Sequence, residues 1–147
     1  MRLLITPDPL DAPALLAAFQ AANRTAGAIA SFVGQVRGEG VEALELELYD
    51  GFTQPHAEAG LAPIAAGVGA FLVAHRFGRL LAGETIVVVA AASPHRRAAL
   101  QAVDRAMDWL KTEAAFWKRE HGPAGPCWIE PRGQDYEDAA RWRRVAP

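Results

Sequence analysis

The sequence predicts an α+β domain in which a mainly antiparallel sheet packs against helices, and three segments carry that expectation. Glu42 to Leu48 alternates, so Leu44, Leu46 and Leu48 share one face of a strand while Glu45 and Glu47 share the other. Within Thr85 to Ala92, the run Ile86-Val87-Val88-Val89 is apolar on both faces, as a central, doubly covered strand requires. Beyond it, Ala99, Val103, Ala106 and Leu110 recur at helical spacing and mark a core-facing stripe. At 147 residues the chain fits a single domain, 1–147, that buries about 68 to 70% of its unfolded surface, and no repeat or linker divides it.

The remaining elements follow in order. Arg2 to Thr6 reads as a strand stopped by Pro7 and Pro9; Asp11 then caps a helix whose buried face holds Leu15, Leu16 and Phe19, ended by Asn23 and Gly27. Ala28 to Val36 is a second strand, leading to Arg37 and the turn Gly38-Glu39-Gly40. The short connection predicts an antiparallel hairpin between this strand and Glu42–Leu48. Thr53 to Ala66 has helical spacing, weakened by Gly60 and Pro63. Phe71 to Phe77 is a strand and Gly78 to Glu84 a turn-rich connection. Ser93 and Pro94 suit the N-cap and first position of the long helix. Cys127 to Glu130 reads as a last short strand, and Tyr136 to Arg144 as a polar helical tail.

Composition excludes several classes of function. A net charge of −2 lacks the general basic footprint of a nucleic-acid binder. One cysteine, Cys127, rules out an internal disulfide and a multi-cysteine metal site, and fits a reducing cytoplasm. His56, His75 and His121 lack ligand spacing, so they read as structural or surface residues and no metal is expected. The apolar run at Met1 to Thr6 is too short for a signal peptide, and no 18-residue apolar segment exists; the expectation is a cytoplasmic protein without a membrane span.

The unusual chemistry lies around the long helix. His95, Arg96 and Arg97 put cations where the helix dipole is already positive, a placement disfavoured by about 0.3 to 1 kcal/mol each. An anion bound there would make free N–H groups, dipole and guanidinium groups converge; solvated arginines that tolerate the position are the alternative. Arg37 at a strand end, Lys111 in the helix's last turns, Lys118 and Arg119 just beyond, and Arg132 near the end complete a cationic set suited to a small, phosphorylated substrate. No G-x-S-x-G, P-loop or G-x-G-x-x-G motif accompanies it, and Cys127 has no base beside it. Alternation with leucine makes Glu45 and Glu47 a solvated face, not an acid/base pair. By spacing alone, Lys111 is an ordinary helix-surface lysine.

Phe32-Val33-Gly34-Gln35-Val36-Arg37, His75-Arg76-Phe77-Gly78 with Gly83-Glu84, Ser93-Pro94-His95-Arg96, Leu110-Lys111-Thr112 and Phe116-Trp117-Lys118-Arg119-Glu120 follow one another in order. Together they resemble the molybdopterin synthase catalytic (large) subunit, the MoaE family, over about residues 27–142. The resemblance implies an α/β hammerhead fold and a sulfurtransferase of molybdenum cofactor biosynthesis. In that family a small ubiquitin-like sulfur-carrier subunit (MoaD-like) inserts a C-terminal Gly-Gly thiocarboxylate into the large subunit. Sulfur passes twice to cyclic pyranopterin monophosphate and forms the molybdopterin dithiolene. No resident cofactor is implied, and sulfur carried by the partner removes any need for a cysteine nucleophile.

Carried over by the resemblance, Lys111 and Lys118 match the essential lysines. Arg37, His95 and Arg96 match the pterin-phosphate pocket, and Arg132 a further anion contact, while Gln35, Val36, Arg119 and Glu120 line the pocket. In these roles Lys111 acts near the thiocarboxylate carbonyl, its proton loosened by surrounding cations, and Lys118 orients the pterin. His95 and Lys111 lie 16 positions apart, about 24 Å on one continuous helix. One small substrate does not span that distance. The expectation is therefore a homodimer in which His95 and Arg96 of one subunit complete the pocket holding Lys111 and Lys118 of the other, and a heterotetramer with two small subunits. The turn after Arg37 is shorter than the family's, Phe52 stands where Met is usual, and Gln35 stands where Lys is common; these departures bear on contacts near that turn. The alternative reading is a noncatalytic dimeric module that binds a ubiquitin-like tail or a phosphorylated ligand.

Overall fold

β6 (Thr85–Ser93) is the strand around which the first sheet is built, in a computed structural model that describes residues 1–144. Its neighbours are β4 (Ala70–Arg76) and β2 (Ala28–Gln35), both antiparallel to it. β1 (Arg2–Thr6) joins β4 in parallel, giving the order β1-β4-β6-β2. Val87, Val89 and Ala91 face a core shared with α2 (Thr53–Ala65) and α3 (Arg96–Thr112). Val88 and Ala74 face the other way, toward α1 (Ala12–Ala22). With both faces covered, the continuous apolar run needs no polar side.

The second sheet has the order β5-β3-β7-β8, all antiparallel, from β5 (Gly78–Leu81), β3 (Ala43–Leu48), β7 (Phe116–Gly122) and β8 (Gly125–Ile129). Leu44, Leu46, Leu80 and Val36 form its core. Helix α4 (Gly133–Ala140) and a 3₁₀ turn (Arg141–Arg144) follow and pack against α3. Among the described residues, no helix is long and apolar enough to cross a membrane.

Three local expectations are corrected. β2 and β3 do not form a hairpin: β2 pairs with β6, and β3 lies in the other sheet between β5 and β7. The chain crosses between the sheets after Val36, whose N–H donates to the Glu84 carbonyl while the Gly83 N–H donates to its own carbonyl. Loop length is a local signal, whereas the partner of β3 is decided by where its leucines are buried, against Leu80 and Phe116. The Gly78–Glu84 connection contains a real strand, β5, too short for alternation to reveal yet holding the fully buried Leu80. Helix α3 starts later than its Ser-Pro pair predicts. Ser93 remains in β6 opposite Ala28, and His95 is the N-cap with extended backbone (φ −127°, ψ 138°) and no side-chain cap bond. Proline after Ser93 favours that extended backbone and so prolongs the strand. Asp11 caps α1 as its sequence predicts, its Oδ1 accepting from the Ala14 N–H at 2.9 Å.

Candidate active site

Helix α3 presents different chemistry at its two ends. Its stripe of Ala99, Val103, Ala106 and Leu110 is buried, which holds the helix as one rigid rod. At the C-terminal end, Lys111 sits in the last turn, its side chain 48% exposed and its Nζ 3.5 Å from Asp135 Oδ1. Asp135 is itself fixed at the start of α4, where Oδ2 accepts the Arg132 N–H at 2.9 Å. Burial pushes the Asp135 carboxyl up, but that N–H and Lys111 outweigh it and hold the group below its ordinary range.

Lys118 reaches the same place from β7. Strand alternation puts Phe116, Lys118 and Glu120 on one face, toward the leucines of β3, since Lys118 pairs with Leu46 and Glu120 with Leu44. The amine of Lys118 is pushed below the usual lysine range, first by burial and then by the positive charge of Lys111, with Asp135 opposing. Two lysines and one carboxylate thus converge, and one lysine gives up its proton more readily than a surface lysine does.

Arg119 is not part of that convergence. It points to the opposite face of β7, where Nη2 lies 2.8 Å from Glu47 Oε1 and 3.1 Å from Glu45 Oε2, and its guanidinium stacks 4.7 Å over Trp128. His121 Nε2 joins Glu45 at 2.7 Å. The hydrogen bond from His121, then Arg119, hold the Glu45 carboxyl below its usual range against desolvation. The acidic side of β3 is therefore an ion-paired network across strands, not a bare solvated face.

At the other end of α3, His95, Arg96 and Arg97 are exposed and line an open cavity of about 390 Å³ with Gly27 and Pro94. Glycine is required there, because a Cβ at position 27 would overlap the Pro94 carbonyl oxygen. Arg37 is not in this cavity. The β2–β6 register pairs Ala28 with Ser93 and Gln35 with Thr85, so Arg37 lies beyond the far end of β2, about 23 Å away at 3.3 Å per residue. One chain does not bring Arg37 together with His95 and Arg96. Gln35 ends β2, its Nε2 donating to Gly83 at 3.4 Å, Val36 is buried in the second core, and Arg132 is exposed at the start of α4. A second cavity, about 360 Å³, is bordered by Leu48, Tyr49, Asp50, Thr53 and Glu58. Its charged lining is acidic and holds none of the predicted residues, so it does not suit a phosphorylated substrate.

Among the described residues no cluster of histidine, cysteine and carboxylate could hold a metal ion, and Cys127 is an exposed free thiol. Asp135 is the site residue that motif reading missed. Its signal was the spacing Arg132-x-x-Asp135, which is that of an N-cap and an acid three positions on.

The model of the family described as "MoaE protein" matches residues 5–113. The chain belongs to the MoaE family. A relative from Caulobacter vibrioides called molybdopterin synthase catalytic subunit is 45% identical over 154 residues, covering 99% of this chain and all of its own. Among solved structures, the molybdopterin biosynthesis MoaE protein from Burkholderia ambifaria MC40-6 is 42% identical with a TM-score of 0.79, covering 97% of each chain. Molybdopterin synthase from Staphylococcus aureus is 30% identical with a TM-score of 0.69, covering 86% of this chain and 95% of its own. The MoaE model spans Lys111 but ends before β7, so Lys118 is covered by the full-length relatives alone.

Proposed function

We propose that this chain is the catalytic, large subunit of a molybdopterin synthase. It transfers sulfur from the C-terminal thiocarboxylate of a small ubiquitin-like subunit to cyclic pyranopterin monophosphate, forming the dithiolene of molybdopterin. The observation that carries this reading is the juxtaposition of Lys111 with a half-buried Lys118 whose proton is loosened, in a chain whose relative is a molybdopterin synthase catalytic subunit. Lys118 is the lysine suited to move protons, because burial and Lys111 both disfavour its ammonium form. Lys111, anchored by Asp135, is suited to stabilise negative charge at the thiocarboxylate carbonyl. This exchanges emphasis between the two lysines relative to the sequence-based expectation. A noncatalytic binder has no use for a lysine held in that state.

Sulfur comes from the partner, so neither a cysteine nucleophile nor a resident cofactor takes part. We assign the protein to the cytoplasm, where the exposed Cys127 stays reduced. Two copies of the chain, with two small subunits, complete the enzyme. The two cationic ends of α3 are too far apart for one small substrate, and Arg37 is equally far from His95. Antiparallel association of two β2 edges resolves both separations, because the Ala28 end of one copy then lies beside the Gln35 end of the other. β2 is an edge strand with Ile29, Phe32 and Val33 exposed, as is Leu100 on the adjoining helix. In that arrangement His95 and Arg96 of a second copy join Arg37 and the two lysines.

Reconstitution with thiocarboxylated small partner and cyclic pyranopterin monophosphate tests the function. Dithiolene product is expected from the wild-type chain. Absence of product, or an unchanged rate for Lys111→Ala, would overturn the proposal.

A further inference from the structure

His75 lies where the two sheets meet. It pairs with Ile5 of β1 and Val87 of β6, on the face of β4 that carries Phe71 and Val73 into the core beneath α2 and α3. The residue is 5% exposed. Its ring stacks on Phe116 of β7, with centroids 4.3 Å apart and planes within 14°. Nδ1 is 2.8 Å from the Arg76 carbonyl oxygen. A carbonyl only accepts, so the proton sits on Nδ1 and Nε2 keeps its lone pair.

A second proton on this ring would bury another cation beside the lysine pair. Burial, with the charge of Lys118 adding to it, therefore holds the imidazole down to about 4 against the favourable Arg76 bond. The coupling is one-sided: by the pH at which Lys118 loses its proton the imidazole is long neutral, so it is absent from the causes acting on Lys118. Phe116 and Lys118 are next neighbours on one face of β7, so the stacked rings of Phe116 and His75 adjoin the lysine. The charges that act on Lys118 come from Lys111 on α3 and Asp135 on α4. From β4 the nearest titratable groups are His75 itself and Arg76, whose Nη1 lies 3.2 Å from Glu84.

We propose that His75 is a positioning residue for Lys118: fixed in one tautomer and uncharged, it seats Phe116 and denies Lys118 a counter-charge that would hold its proton. The inference rests on the reading of Lys118 as the proton-moving group. If His75 merely filled space, the sign of a charge placed there would not matter to Lys118.

The test is the pH dependence of acetic anhydride labelling of the Lys118 amine in the full chain, read by mass spectrometry of its peptide. Wild type and His75→Gln should titrate together. His75→Glu should move the curve upward by about one pH unit, leaving roughly tenfold less neutral amine at a fixed pH below it. Coincident curves for His75→Glu and wild type, or equal shifts for His75→Gln and His75→Glu, would overturn the proposal. If labelling moves but the pH profile of sulfur transfer does not, the His75 inference stands and the catalytic reading of Lys118 fails. Should His75→Glu not fold, ¹⁵N NMR of the wild-type ring decides: a neutral Nδ1–H tautomer throughout about pH 5.5 to 8 is expected. A ring that titrates in that window, or carries its proton on Nε2, would overturn it.

Discussion

Lys111 and Asp135 meet across 3.5 Å, joining the last turn of α3 to the first turn of α4. The carboxylate has two tasks, since its other oxygen accepts the Arg132 N–H. Asp135→Asn keeps an acceptor for that N–H while removing the charge that favours the Lys118 ammonium. Lys118 should then titrate at lower pH, seen as faster amine labelling near neutrality, with little change in unfolding midpoint. Asp135→Ala also removes the helix cap and should cost about 0.5 to 2 kcal/mol in urea unfolding.

Proton movement by Lys118 makes a sharp distinction between substitutions. Arginine keeps the positive charge and cannot lose it. Lys118→Arg should lower single-turnover sulfur transfer by roughly 10² or more, as Lys118→Ala does. Lys111→Arg, which preserves both the charge and a partner for Asp135, should retain much more activity than Lys111→Ala. A fully active Lys118→Arg enzyme would assign that lysine a purely electrostatic role.

Acid should destabilise the fold through His75. The unfolded chain takes up a proton on this histidine below its ordinary 6.5, whereas the native chain does so only near 4. The unfolded state binds more protons between those values, so stability is full above about 6.5 and falls as pH drops through that window. The loss amounts to about 3 kcal/mol at its full extent. Urea unfolding of wild type and His75→Phe at pH 7 and near pH 4.5 checks this: the variant should lose this part of the slope.

Arg119 anchors the outer face of the second sheet, through Glu45, Glu47 and the Trp128 ring. Arg119→Ala should cost about 1 kcal/mol of stability while leaving the single-turnover rate near wild type. A large loss of rate without loss of stability would return Arg119 to the pocket.

Much of this was legible in the residues. The double-faced β6, the alternating β3 and the striped α3 are long, strongly periodic segments whose burial their patterns dictate. β5 was invisible because four residues with one buried leucine carry no period. The β2–β3 hairpin failed because a short turn is local evidence, whereas Leu44 and Leu46 found Leu80 in another sheet. For the site, resemblance supplied Lys111 and Lys118, which spacing alone leaves as unremarkable surface cations. Strand alternation in β7 then separated Lys118 from Arg119, which reading the motif as a block had joined. His75 looked structural; its closeness to Lys118 depends on the contact between two sheets that share no strand.

Subunit complementation tests the central claim, that the two ends of α3 work together only between two copies. His95→Ala/Arg96→Ala and Lys111→Ala/Lys118→Ala chains should each be inactive alone. After unfolding and refolding together in equal amounts, they should recover about a quarter of the wild-type rate, because about half the dimers are mixed and each mixed dimer holds one intact site of two. No recovery in dimers verified to be mixed would contradict the account.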